Sequence, residues 1–276
     1  MVDISVEKLM NQPNHNDYIT YPESSLRDRI KLAHDWIPAG ARRILDGGCA
    51  FGYGTRHFQK GNAKVWGVDP NAEFIAVAQK RYPDINFEIC GVEQTPFSAE
   101  FFDVVILNDV LEHVIDECKT LNEMFRVLSP GGSFIITTPH RGLFAFMDPD
   151  NYTYHLRTKT PGLYRFLFRA KYGRLPPTDI KPGYEQLHRH YAVNDFKQLL
   201  DKSDFKGRYA IETKFRGGLF IGVFTSNLFE FLSIFTGVKI ASKLTSPLGW
   251  LAELDYFISY GFLAYNIGIR IKKLKR

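Results

Sequence analysis

Between about residues 42 and 138, short apolar runs alternate with amphipathic stretches. RRILDGG, AKVWGVDP, INFEIC, FFDVVILN and SFIITTP each read as a strand, bounded by glycine, proline or a polar turn. Between them, GTRHFQKGN is polar and helical, and NAEFIAVAQKRY spaces Phe74, Ile75 and Ala78 along one helical face. DECKTLNEMFRVL does the same with Leu121, Phe125 and Leu128, and stops at Ser129-Pro130-Gly131-Gly132. Strict alternation of strand and helix predicts an α/β fold, with right-handed crossovers building a parallel sheet covered by helices on both faces. Ligands of such sheets bind at the carboxyl ends of the strands. That rule gathers Gly48 to Gly54, Asp69, Cys90 to Glu93 and Asn108 to His113 along one edge.

The pattern changes further on. KQLLDKSDF is a helix end, YAIETKF a strand, and YNIGIRIKKL alternates Ile267, Ile269 and Ile271 with Gly268, Arg270 and Lys272, as a closing strand does. About residues 217–264 between these two strands are rich in Phe, Leu and Ile. Gly222, Ser226, Glu230, Ser233 and Gly237 recur every three or four residues, which predicts a helix with a narrow polar stripe and a wide apolar face. Trp250, Leu251, Leu254, Phe257 and Ile258 mark a second helix. Glu230, Glu253 and Asp255 argue against a membrane crossing, since each costs about 2.5–3.5 kcal/mol near a bilayer centre. Two readings stay open for the pair: burial against the core, or an interfacial position on an anionic leaflet.

Composition adds a few bounds. At 276 residues and 45% hydrophobic content the chain can bury a large core. Cys49, Cys90 and Cys118 are odd in number and lack metal-like spacing, which predicts a reducing compartment. With a polar start, MVDISVEKLMNQPNHN, the expected location is cytoplasmic, with peripheral contact at the inner face of the membrane. The net charge of +5 resides in residues 239–276, where Lys239, Lys243, Arg270, Lys272, Lys273, Lys275 and Arg276 face only Glu253 and Asp255. Such an end suits anionic headgroups or serves as a solubilising terminus.

The stretch ILDGGCAFGYGT crowds four glycines directly after a strand. Glycine tolerates positive φ and lets backbone approach a ligand, so the cluster is a tight turn, a binding loop, or both. Its register is not the G-x-G-x-x-G of dinucleotide enzymes, because the turn reads Gly48-Cys49-Ala50-Phe51-Gly52. Here the sequence resembles the class I S-adenosylmethionine-dependent methyltransferases, whose first motif is an acid followed by G-x-G-x-G. Asp46, Gly48, Ala50 and Gly52 match it, with alanine at the middle glycine. Asp69, which ends the second strand, matches the acid that holds both ribose hydroxyls. VEQTPFSAEFFDVVILNDVLEHV and RVLSPGGSFIITTP resemble the stretches from the adenine pocket to the fifth strand. The likeness covers roughly residues 40–140.

The resemblance implies a Rossmann-like sheet, mostly parallel with an antiparallel last strand, and this chain's own residues add a helical hydrophobic insertion before that strand. It divides the chain into an N-terminal helical extension (1–40), a cofactor-binding core (41–140), an acceptor-side insertion (141–193), and the rest of the core with its apolar insertion (194–276). The implied cofactor is S-adenosyl-L-methionine, held by Asp46, Gly48, Cys49, Ala50, Gly52, Asp69, Pro70, Val92, Glu93 and Asn108. Many relatives bind the adenine amino group with an Asp where this chain has Gly91, so that contact falls to the Val92 backbone and to Glu93.

Methyl transfer from a sulfonium needs alignment above all. A hydroxyl acceptor also needs a base, and His113 and His140 are the candidates carried forward from a set that includes His188 and His190. Asp109, Glu112 and His113, if they share a helical turn, present two carboxylates and an imidazole to a divalent metal, as in some ubiquinone-biosynthesis and RNA O-methyltransferases. In other relatives the same residues only support the cleft wall. HRGLFAFMDPDNYTYHLR and PGYEQLHRHY are similar to segments of bacterial methyltransferases of surface saccharides. The expected acceptor is therefore a small molecule, a saccharide or a lipid-linked compound. No nucleic-acid partner is expected, because the fourth strand lacks an Asn-Pro-Pro-aromatic motif. Three classes stay open: an active methyltransferase, an NAD-type dinucleotide enzyme, and an inactive module that only binds.

Overall fold

The computed structural model describes residues 26, 28–173, 175–176, 188–218, 221–237, 240–241, 243–245, 247, 255 and 258–275. Seven strands form one sheet in the order β3-β2-β1-β4-β5-β7-β6. They are β1 (Arg43–Gly47), β2 (Lys64–Asp69), β3 (Asn86–Ile89), β4 (Phe102–Asn108), β5 (Leu128–Pro139), β6 (Tyr209–Gly217) and β7 (Asn266–Lys273). The helices are α1 (Asp28–Trp36), α2 (Ala72–Arg81), α3 (Glu117–Val127), α4 (Pro149–Lys159), α5 (Pro161–Tyr172), α6 (Val193–Lys202) and α7 (Ile221–Thr236). β1 to β5 pair in parallel. Leu274 N donates to Arg208 O at 2.9 Å and Tyr265 N to Gly218 O at 3.3 Å, so the end of β7 meets the start of β6 and the two run antiparallel.

Period two accounts for the central strands being apolar throughout. Leu45, Val105, Leu107, Phe134 and Ile136 face one side, with Leu121, Met124 and Phe125 of α3 and Phe196 and Leu200 of α6. Ile44, Val104, Ile106 and Ile135 face the other, against Ala33 of α1, Ile37 and Phe58. A strand with both faces covered cannot alternate with polar residues. Helix starts are fixed locally. Asn71 accepts from Glu73 N and Phe74 N to cap α2, and Asp116 accepts from Lys119 N to cap α3.

The chain divides into two compact units. The core unit holds the sheet and comprises the described residues of 5–138, 191–215 and 267–276; the second unit is built from 139–190 and 216–266. In the second unit α5 packs against α4 and against α7. No helix among the described residues is long and apolar enough to cross a membrane.

Several expectations change. GTRHF forms only a short 3-10 turn, Thr55–Phe58. On α7, Ser233, Thr225 and Phe229 are buried, while Phe224, Phe231 and Phe235 are exposed. The basic tail is partly spent inside the core unit, where Lys273 Nζ donates to Phe125 O at 2.8 Å and to Leu128 O at 2.6 Å and sits over the Phe125 ring. Residues 1–25, Lys239, Trp250, Leu251, Glu253, Leu254 and Phe257, and the side chains of Ser226 and Glu230, lie outside the described residues.

Candidate active site

The loop after β1 is folded by its own backbone. Gly48 N and Cys49 N both donate to Val68 O, at 2.8 and 3.0 Å, which turns the chain across the end of β2. Gly48, Ala50 and Gly52 all take positive φ, at 74°, 45° and 75°. At Gly48 a side chain would run into Val110, and at Gly52 a Cβ would stand 2.8 Å from Phe87 Cζ. Ala50 bears the left-handed strain that a glycine would avoid; such strain costs about 1 kcal/mol and is offset by the contacts around it.

Asp69 is the keystone of that loop. Its Oδ2 accepts from Ala50 N at 3.1 Å and its Oδ1 from Asn71 N at 2.9 Å. The carboxylate is thus fixed between the loop and the residue that follows β2. Pro70 follows it, exposed. Asp46 is buried beneath the loop and accepts from Thr55 Oγ1 at 2.6 Å. Burial, reinforced by the charge of Asp69 and opposed by the Thr55 hydrogen bond, pushes its carboxyl up to about 7. Burial, with Asp46 and Asp69 nearby, also raises the Cys49 thiol and keeps it neutral.

Val92 is buried after β3, and a Cβ on Gly91 would stand 2.9 Å from Glu93 Oε2. The Glu93 carboxylate thus fills the place that a side chain at 91 would take. After β4, Asn108 Oδ1 accepts from Thr137 Oγ1 at 2.7 Å. Asp109 has φ of 57°, and its Oδ2 pairs with Arg29 Nε at 2.7 Å. The positive φ breaks the helical spacing that would have aligned Asp109 with Glu112 and His113. Among the described residues these three do not form a donor group within 4.8 Å of one another. Glu112 is buried and its Oε2 accepts from Thr138 Oγ1 at 2.9 Å, while His113 N closes a turn on Val110 O. Asp109 therefore stands apart from the predicted triad, while Glu112 and His113 offer ligand atoms close to one another.

Two residues here carry no local sequence signal. Arg29 reaches Asp109 across 80 positions of chain. The Tyr191 hydroxyl lies 3.1 Å from Leu111 O and 2.6 Å from Glu117 Oε1, and fixes the far side of the same loop.

The second unit holds buried polar residues of its own. His140 is buried, with Nδ1 2.9 Å from Ala264 O; only a protonated Nδ1 can bond a carbonyl, so Nε2 carries the lone pair. Burial lowers its basicity, helped by Arg216, His190 and Arg141, although the Ala264 bond opposes this. Asp148 is also buried, with Oδ2 2.7 Å from His188 Nδ1 and 3.0 Å from His190 Nε2. Burial alone would raise its carboxyl, but the two imidazoles hold it well below the usual carboxylate range. Asn151 grips the His188 backbone through both its N and its O.

A strand-glycine-helix turn with a fixed acid on the second strand decides the family, and a family model described as "Methyltransferase domain" matches residues 45–136. The core is a class I S-adenosylmethionine-dependent methyltransferase domain. A probable S-adenosylmethionine-dependent methyltransferase of Mycolicibacterium smegmatis is 33% identical over 115 residues, 42% of this chain and 44% of that protein. The mitochondrial ubiquinone biosynthesis O-methyltransferase of Mus musculus is 36% identical over 116 residues, 39% of this chain and 31% of its own. The match thus spans less than half the length of either relative. The methyltransferase fold extends further than the sequence likeness. Phosphoethanolamine N-methyltransferase 2 of Haemonchus contortus, solved with S-adenosyl-L-methionine, superposes with a TM-score of 0.56 at 18% identity, over 95% of this chain and 56% of that one.

Proposed function

We propose that the chain transfers the methyl group of S-adenosyl-L-methionine to a hydroxyl of a small-molecule, saccharide or lipid-linked acceptor. The observation that carries this reading is the Asp69 carboxylate, held by Ala50 N and Asn71 N beside a loop of left-handed residues. In this reading Asp69 accepts from both ribose hydroxyls and the loop backbone from Gly48 to Gly52 holds the amino-acid arm. Asp46, Cys49, Pro70 and Asn108 line the site, and Val92 and Glu93 contact the adenine. The two curated relatives quoted above carry methyltransferase names, one of them directed at oxygen.

The S–CH3 bond breaks as the O–CH3 bond forms, leaving S-adenosylhomocysteine and a proton that a base takes up. His140 suits that role chemically, because its Nε2 is unprotonated at neutral pH. His113 is the alternative. No step is assigned to a metal ion, since Asp109 is engaged by Arg29. A lipid-linked acceptor is favoured among the three, because the second unit exposes Leu143, Phe146, Leu163, Phe166 and Phe262.

Calorimetric titration with S-adenosylmethionine and with NAD tests the cofactor: binding of NAD alone overturns the reading. Formation of S-adenosylhomocysteine against phenols, quinone precursors and lipid-linked sugars tests the acceptor. Binding without turnover on any of them would make the chain an inactive module. Excess chelator should leave turnover intact, and loss restored by magnesium, manganese or zinc would revive the metal.

A further inference from the structure

Residues 151–178 carry Arg157, Lys159, Arg165, Arg169, Lys171 and Arg174, and no Asp or Glu. They include most of α4 and all of α5. On α5, Leu163 and Phe166 are exposed together with Arg165 and Arg169, while Phe168 is buried. α7 packs against α5 and turns a second aromatic row outward. Phe224, Phe231 and Phe235, exposed at 59%, 59% and 72%, are seven and four residues apart and so fall on one line along the helix. Ile240 and Leu244 continue the apolar surface one turn apart.

An apolar surface of this extent marks a contact site. Its chemistry selects among partners. A second copy of the chain would bring the acid-free segments of 151–178 together and set like charges face to face. A nucleic acid would neutralise the cations, yet a phosphate backbone gives Phe231 and Phe235 nothing apolar to enter. An anionic bilayer offers both an acyl boundary for the phenyl rings and phosphates for the guanidinium groups.

We propose that α5 and α7 form an interfacial docking surface for an anionic phospholipid bilayer. Phe166, Phe224, Phe231 and Phe235 enter the acyl boundary, and Arg165 and Arg169 meet the headgroup phosphates. The cations thus come from α5 rather than from the C-terminal tail, where Lys273 is already bound to main-chain carbonyls. Docking deepens the lipid-linked acceptor reading and rests on it for its purpose, but vesicle binding is scored without turnover, so the two fail separately.

The test is flotation of the full chain with phosphatidylglycerol–phosphatidylcholine vesicles at low and high salt, with pure phosphatidylcholine and single-stranded RNA as comparisons. Wild type should float with the anionic vesicles at low salt, and less at high salt. Arg165→Glu with Arg169→Glu, and separately Phe231→Ser with Phe235→Ser, should each weaken binding about tenfold or more, with S-adenosylmethionine affinity and thermal unfolding unchanged. If the aromatic variant unfolds, the charge variant decides. Wild type left wholly unbound, or anionic binding that survives both variants, would overturn the proposal. So would a stable dimer by light scattering that the aromatic variant dissociates, or RNA binding that outcompetes the vesicles.

Discussion

The core unit and the second unit distribute polarity in opposite ways. In the core, Ile44, Leu45, Val104 to Leu107 and Phe134 to Ile136 are fully buried, and Asp46 and Asp69, which close the ligand edge, are among its few inward acids. In the second unit the buried set includes His140, Asp148, Thr225, Ser233, Thr245 and Asp255. Its surface holds every exposed large apolar side chain among the described residues except Ile89, Ile115 and Leu274. The first arrangement is that of an apolar interior with few buried acids. The second keeps a polar interior and leaves apolar surface for something outside the chain. Substitutions in the two units should therefore read out differently.

The largest effect is expected at the glycine loop. Gly48→Val would place a branched side chain against Val110 at a φ of 74°, where valine is strongly disfavoured. S-adenosylmethionine binding should vanish from a calorimetric titration, while circular dichroism still reports a folded sheet. Retained affinity would remove the loop from the site.

Asp46 comes next. Its carboxyl titrates near 7 in the folded chain against 3.8 when unfolded, so the folded state binds the extra proton between those values. Stability from this group is therefore full below the unfolded value and falls as pH rises through 7, by about 4 kcal/mol at 1.36 kcal/mol per unit. Asp46→Asn should match wild type near pH 4 and exceed it in denaturant stability at pH 8, in protein free of ligand. A constant difference across that range would contradict the buried character of this acid.

How much of this was legible in the chain depends on the range of the signal. Strand period, Pro-Gly stops and the spacing from Gly48 to Asp69 are local, and they locate the sheet and its ligand edge. Asp109 and Arg29 meet through tertiary folding alone, so the sequence spacing of Asp109 with Glu112 and His113 carried no sign of that ion pair. Ala50 stands at the middle glycine of the motif, and its φ of 45° shows why glycine suits that place. Amphipathicity located α7, but periodicity cannot say which face turns inward. Thr225 and Ser233 take the inner side of α7, and Phe224, Phe231 and Phe235 are left outside.

Asp69→Ala should weaken S-adenosylmethionine binding by about 2–3 kcal/mol, the loss of charge-assisted hydrogen bonds in a site. It also frees Ala50 N and Asn71 N, so the loop loses its tie to β2. Asp69→Asn keeps acceptors for part of that network and should recover part of the affinity. Equal affinity in wild type and both variants, by calorimetry, would show that the ribose is not bound here.

The smallest effect belongs to the outer face of α7. Phe235 is 72% exposed, so serine in its place removes little buried area from the fold. Phe235→Ser should shift unfolding free energy by about 0.5 kcal/mol or less, in either direction, because an exposed position carries no cavity term. Phe229, one and a half turns away on the same helix, is buried at 2% exposure, and Phe229→Ala should cost about 3–5 kcal/mol. The ratio of these two values by chemical denaturation measures how one-sided the helix is. If Phe235→Ser destabilises as much as Phe229→Ala, the outer face is packed in solution, and the contrast between a closed core unit and an open second unit disappears.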